Sequence, residues 1–125
     1  MDKQIFASAD AAPAVGPYSP CVGAGDLVFV SGQIPLGPDG KLVGYTPKDQ
    51  AHKALDNMRL TLNAAGIDMA NVVKTTIFLH DMDDFAAVNE VYAEFFSEPY
   101  PARSTVQVAR LPKDVRVEIE AIAVR

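Results

Sequence analysis

The sequence predicts a two-layer α+β fold, a mixed six-stranded sheet with two helices on one face, in the order β-β-β-α-β-α-β-β. Three observations predict it. Two segments carry apolar residues at helical spacing, several others carry β-branched or alternating apolar residues, and clusters of Gly, Pro and Asp separate them. Two amphipathic helices can cover one face of such a sheet, which makes one compact domain over residues 1–125.

Residues 3–7 are read as a short first strand. A second strand around 18–23 is joined through Gly25-Asp26 to a third, Leu27-Val28-Phe29-Val30-Ser31-Gly32-Gln33. The start of the third is nearly all apolar, so both its faces are expected to be covered. Pro35-Leu36-Gly37-Pro38-Asp39-Gly40 is a turn-rich stretch.

Thr46 then suits a helix N-cap and Pro47 the first helical position. Ala51, Ala54, Leu55, Met58, Leu62 and Ala65 form the apolar stripe, and Gly66 stops the helix. A strand follows over 72–79. The second helix starts near Asp83-Asp84, whose charges suit a helix N-terminus, and its apolar face is Phe85, Val88, Val91, Tyr92 and Phe95.

Two strands close the chain, over 102–109 and 115–124. In the last, Val115, Val117, Ile119, Ala121 and Ala123 share one face; Arg116, Glu118, Glu120, Ile122 and Val124 share the other. That second face still carries apolar residues. A small domain with a half-apolar open face tends to bury it against copies of itself, which points to a homo-oligomer of unstated number.

Composition narrows the chemistry. The net charge of −5 and pI near 4.8 do not attract phosphate backbones, and no Lys/Arg cluster alternates with aromatics, so no nucleic-acid partner is expected. No apolar run approaches the ~18 residues that span a bilayer. The residues Met1-Asp2-Lys3-Gln4 lack the pattern of a signal peptide, so no membrane partner and a cytoplasmic location are expected. Cys21 is the only cysteine, and the two histidines, His52 and His80, have no ligand spacing; no metal and no cofactor are expected. Neither a phosphate loop nor a GxSxG elbow occurs.

Charged residues inside strands remain. Arg103 opens a largely apolar strand, and Glu118 and Glu120 lie two apart on one strand face. They form either a solvated edge or a structural ion pair, or else a carboxylate-binding arginine beside an acid/base glutamate. Arginine's planar fork grips a carboxylate through two parallel hydrogen bonds, and a carboxyl group exchanges protons with water. Tyr18, in the rigid turn Gly16-Pro17-Tyr18-Ser19, is either a core cap or a pocket phenol. Asn89, on the flank of the second helix's buried face, either ties helix to sheet or faces a ligand.

Several segments together carry a resemblance. Gly16-Pro17-Tyr18-Ser19, Val30-Ser31-Gly32-Gln33-Ile34-Pro35, Pro101-Ala102-Arg103-Ser104 and Val117-Glu118-Ile119-Glu120-Ala121 resemble the RidA/YjgF family of reactive-intermediate deaminases. So do Asp84-Phe85 with Val88-Asn89, and Ala109-Arg110-Leu111-Pro112-Lys113-Asp114. The resemblance runs almost the full length.

It implies a chorismate-mutase-like fold and a homotrimer with three clefts between subunits. It also implies hydrolysis of 2-aminoacrylate and 2-iminobutanoate to 2-keto acids and ammonia. On matching positions it implies that Arg103 binds the substrate carboxylate, that Glu118 rather than Glu120 positions water, and that Tyr18, Ser31 and Asn89 line the pocket. Many relatives carry cysteine where this chain has Thr105. That position is implied to hold the carboxylate through its main chain, which threonine preserves. Two other readings stand beside this one: a ribonuclease or translation inhibitor, and a non-catalytic trimer that binds small acids or acts as a chaperone-like partner.

Overall fold

The computed structural model describes residues 2–125. Its strands are β1 (Gln4–Phe6), β2 (Cys21–Ala24), β3 (Leu27–Gln33), β4 (Val72–Leu79), β5 (Ala102–Gln107) and β6 (Val117–Val124). Its helices are α1 (Pro47–Ala64) and α2 (Phe85–Phe95). The sheet runs β1-β2-β3-β6-β4-β5. Only β4 and β5 pair in parallel, as their α2 crossover requires; the other neighbours are antiparallel.

Local chemistry sets the helix ends. Thr46 accepts a hydrogen bond from the Asp49 amide at 3.1 Å, and Pro47 occupies the first turn, where its missing N–H costs nothing. At the other end Gly66 has φ +80°, which lets the Gly66 amide reach Asn63 O and the Ile67 amide reach Leu62 O. That double bond pattern is the Schellman stop. The Gly25-Asp26 turn joins β2 to β3 as expected, with Ala24 opposite Leu27 and Gly25 at φ 60°.

Both helices lie on one face. Val28, Val30, Ile77, Leu79, Val117, Ile119, Ala121 and Ala123 of the sheet meet Leu55, Met58 and Leu62 of α1 and Val88, Val91 and Tyr92 of α2. A second, smaller core of Ile34, Leu36, Leu111 and Val115 closes one end of the sheet, with Phe78 packed against it.

Four expectations need correction. Leu27 and Phe29 are about 40% exposed, so β3 is covered on one face only within a chain. Phe85 lies outside the core at the start of α2. The last two strands are shorter than read, because the chain between them turns at Pro112–Asp114, where Lys113 and Asp114 both have positive φ. The second strand begins only at Cys21, so Tyr18 sits in the loop before it.

The sheet's other face is open. It exposes Leu27, Phe29, Val106 and Val124. No helix of the described chain is long and apolar enough to cross a membrane.

Candidate active site

Arg103 enters from the edge strand. It is opposite Thr75 on β4, and Thr75 is fully buried under α2, so Arg103 points to the helix face. There α2 builds a cradle. The guanidinium lies 4.8 Å from the Tyr92 ring centroid and 5.6 Å from that of Phe85, and it donates to Asn89 Oδ1 at 2.8 Å. Tyr92 is fixed in turn by a 2.8 Å hydrogen bond between its hydroxyl and Thr75 Oγ1. Burial pushes its phenol above the usual value, so it stays neutral. Two ring faces and one amide orient the arginine without neutralising it. Among the described residues no carboxylate lies within ion-pair distance of Arg103. A cavity of about 330 Å³ opens beside it, flanked by Tyr100 and Ala93.

Thr105 follows two residues on, facing Ile77 across the same pair of strands. The Val108 amide donates to Leu79 O, towards β4. Alternation along the strand therefore turns the Arg103 and Thr105 amides the other way, to the open edge of the sheet. An arginine fork beside a free main-chain N–H is a donor set for one carboxylate.

Glu118 is on the other face. Its neighbour across β4 is Phe78, and its face is the open one. A cavity of about 380 Å³ surrounds it, lined by Tyr18, Ser31, Gly32, Ile34, Pro112 and Glu120. Burial, and secondarily the charge of Glu120, push its carboxyl above the usual glutamate value.

The backbone beneath it is shaped to fit. The β3–β6 register shifts between Val30 and Gln33, which makes a bulge at Ser31-Gly32. A Cβ at Gly32 would stand 2.7 Å from the Glu118 carboxyl carbon. Ser31 Oγ donates to Ser19 O at 2.7 Å and pins the loop that carries Tyr18. That loop folds back on itself, with the Tyr18 hydroxyl accepting from the Val15 amide at 3.2 Å.

The structure thus gathers the six sequence-derived candidates into two groups. Arg103, Thr105 and Asn89 belong to the helix face and the β5 edge; Glu118, Tyr18 and Ser31 belong to the open face. The groups do not meet within one chain. Strand β4 separates Arg103 from Glu118, which is two strand spacings, roughly 10 Å, and they also sit three positions apart along the register, roughly another 10 Å. Their side chains then diverge to opposite faces, whereas a three- or four-carbon acid spans only about 5 Å.

Sequence reasoning gave no role to Gly32, Tyr92 or Phe85. A glycine inside a strand is a signal of close backbone approach, and it was present in Ser31-Gly32-Gln33. The rings carried no such signal, because helical spacing assigns them to the core. Among the described residues no group of three or more His, Cys, Asp or Glu side chains is placed to hold a metal ion.

The fold defines a small α+β protein with an arginine fork beside free main-chain donors at one sheet edge and a part-buried glutamate on the opposite face. Known proteins of this kind are close. The family model described as Endoribonuclease L-PSP matches residues 9–125. The Escherichia coli K12 protein named 2-iminobutanoate/2-iminopropanoate deaminase is 49% identical, across 100% of this chain and 99% of its own. A RutC family protein of Pyrococcus horikoshii is 48% identical, across 97% of each chain. The crystal structure of E. coli TdcF with bound serine superposes with a TM-score of 0.92 at 48% identity, covering 98% of both chains. The chain belongs to the RidA/YjgF family.

Proposed function

We propose that the protein is a cofactor-independent imine deaminase. It hydrolyses small 2-imino acids, of the 2-aminoacrylate and 2-iminobutanoate type, to 2-keto acids and ammonia. Its active site is a cleft between two copies of the chain in a homotrimer. The observation that carries the reading is the pair of half-sites: an arginine fork without a carboxylate partner, and, on the opposite face, a part-buried glutamate whose carboxyl is pushed above its usual value. The relatives named as deaminases at about half identity over the whole chain support the same chemistry. The serine seen in TdcF supports a small amino-acid-like ligand.

The mechanism follows from the groups. Arg103 of one protomer and the adjoining Thr105 amide take the substrate carboxylate, and Asn89, Tyr92 and Phe85 keep the fork in position. Docking fixes the imine carbon, which removes most of the orientational cost of the reaction. Glu118 of the neighbouring protomer orients a water molecule and accepts its proton as the oxygen bonds to the C=N carbon. The imine nitrogen takes up a proton and becomes an amine. Glu118 then returns its proton to that nitrogen as the C–N bond breaks; ammonia leaves, and the oxygen gives its remaining proton to solvent, which replaces the one the imine nitrogen took from solvent, as it forms the keto group. A carboxyl with a raised pKa suits both halves of this exchange, because it holds and releases a proton nearer neutrality. Tyr18 and Ser31 wall the water side of the cleft. The exposed Leu27, Phe29, Val106 and Val124 supply apolar surface for the subunit contact. We place this activity in the cytoplasm.

The description of the matching family as an endoribonuclease raises a second reading. A chain of net charge −5 lacks the electrostatic footprint of an RNA binder. RNA cleavage that persists in Arg103→Ala after repeated purification would favour it.

The test couples a serine/threonine dehydratase to semicarbazide trapping of the released imine. The protein is expected to lower the trapped imine and speed keto-acid release, and Arg103→Ala to abolish both. Tight binding of 2-oxobutanoate with no turnover would instead identify a small-acid-binding protein.

A further inference from the structure

Helix α1 buries a polar residue that does not line the Glu118 cavity. Asn57 lies in the middle of α1, fully buried on the flank of the apolar stripe, one turn from Ala54 and from Thr61. Its Nδ2 donates to two carbonyls, Ile34 O at 3.0 Å and Leu36 O at 2.9 Å. Its Oδ1 is buried without a partner. An unpaired buried oxygen costs free energy, so the side chain is not there for its own satisfaction.

The two carbonyls belong to the segment where β3 leaves the sheet. Pairing with β6 ends at Gln33–Ile119, just past the Ser31-Gly32 bulge. Beyond that point the chain leaves the sheet and pairs only with its own return, through a Leu36–Leu42 bridge and a 2.8 Å bond from the Val43 amide to Pro35 O, which leaves its attachment to α1 to side chains. The Leu36 amide turns back onto Ile34 O, and the amide of Asn57 holds both ends of that turn against α1. The same segment is the wall of the Glu118 cavity. Ile34 lines it, and Gly32 sits so close to the carboxyl group that a methyl would not fit.

We infer that Asn57 is a positioning residue for Glu118: by clamping Ile34 and Leu36 to α1 it holds the Gly32–Ile34 wall against the carboxyl group and keeps water from surrounding it. The inference rests on reading Glu118 as the proton carrier, and it explains why an amide, with two donors on one nitrogen, occupies a core position of α1. The other ionisable groups facing Glu118 are Glu120 on its own strand and Tyr18 from the loop above; Phe78 on β4 and Ser31 and Gly32 on β3 bring no charge. Loosening the wall therefore changes hydration and leaves the charges in place. Hydration favours the ionised carboxyl and lowers its pKa.

The test follows the Glu118 carboxyl by carbon-13 titration of the intact chain, a readout independent of turnover. In Asn57→Ser, which keeps one donor, and in Asn57→Leu, which keeps volume but no donor, the carboxyl is expected to titrate below its wild-type value, back towards the ordinary glutamate range. The acid limb of kcat/KM is expected to move down by the same amount, with KM nearly unchanged because Arg103 is on the other face. Leu62→Ala, a core truncation of α1 away from the β3 exit, is the control that lowers stability without moving the titration. A folded Asn57 variant whose Glu118 titrates as in the wild type, or a Leu62→Ala shift of the same size, would overturn the inference. A wild-type chain without deaminase activity would leave the titration result standing and remove the catalytic reading alone.

Discussion

The cradle around Arg103 and the pocket around Glu118 differ in what completes them. On the helix face every part of the cradle comes from the chain that supplies the arginine. The two rings and the amide stand on one helix, within about two turns of each other, and Thr75 locks the more buried ring. On the open face the pocket is assembled from distant segments: a bulged strand, a proline-rich loop and the last strand. Under the proposed function the first is a complete binding group, and the second is a reacting group with no substrate anchor beside it. The proposed function makes this a division of labour, in which one small chain keeps anchoring and proton transfer on opposite faces of one sheet and chemistry waits on assembly.

Each half can be attacked alone. The largest effect is expected from Glu118→Gln, which keeps shape and loses proton transfer: kcat falls by ~10³-fold with little change in KM, as measured by keto-acid release. The same variant has a signature in stability. Glu118 holds its proton more tightly in the folded chain than in the unfolded one. Its contribution to stability is therefore full below the unfolded carboxyl value and is lost as pH rises through the folded one. Glu118→Gln is expected to melt higher than the wild type at neutral pH and no higher below about pH 4. In the wild type, the acid limb of kcat/KM is expected above the ordinary glutamate value for the same reason.

Arg103→Ala comes next, with a loss of about 10²–10³-fold in kcat/KM carried mainly by KM, since a charge pair with the substrate carboxylate disappears. Lysine is a poor replacement there, because it cannot present two parallel donors or stack on Tyr92 and Phe85. Gly32→Ala should cost about 10–100-fold in kcat, since the new methyl drives the Glu118 carboxyl aside by a fraction of its length. Its melting temperature should barely change, because only the end of one side chain has to move. Asn89→Ala is the smallest, about 5–10-fold in KM, the loss of one hydrogen bond to a charged donor.

Much of this was legible in the sequence, and the boundary is physical. Helix ends were readable because Thr46, Pro47 and Gly66 act on neighbouring backbone groups. The two faces of β6 were readable because strand alternation is local, and Glu118 and Glu120 do share a face. The relation between Arg103 and Glu118 was not, because it depends on β6 inserting between β3 and β4 and on the register across β4. Residue types suggested an arginine beside a glutamate; the sheet puts them back to back. Asn57, Gln50 and Thr61 are buried polar residues on α1, and nothing in their type marks them, since their partners come from segments far along the chain or from the main chain. Phe85 fits the apolar stripe of α2 by spacing, yet it leaves the core to lie under the arginine. Periodicity reports which face a residue shares, and it is silent on what that face meets.

Mixing two inactive variants separates a shared cleft from any site within one chain. Arg103→Ala retains Glu118, and Glu118→Gln retains Arg103. When the two are unfolded together at equal amounts and refolded, one subunit contact in four joins an intact arginine to an intact glutamate. The deaminase assay is then expected to recover about a quarter of wild-type activity, while each variant refolded alone stays inactive. A mixture that refolds into the same assembly and remains as inactive as its components would contradict a cleft built from two chains.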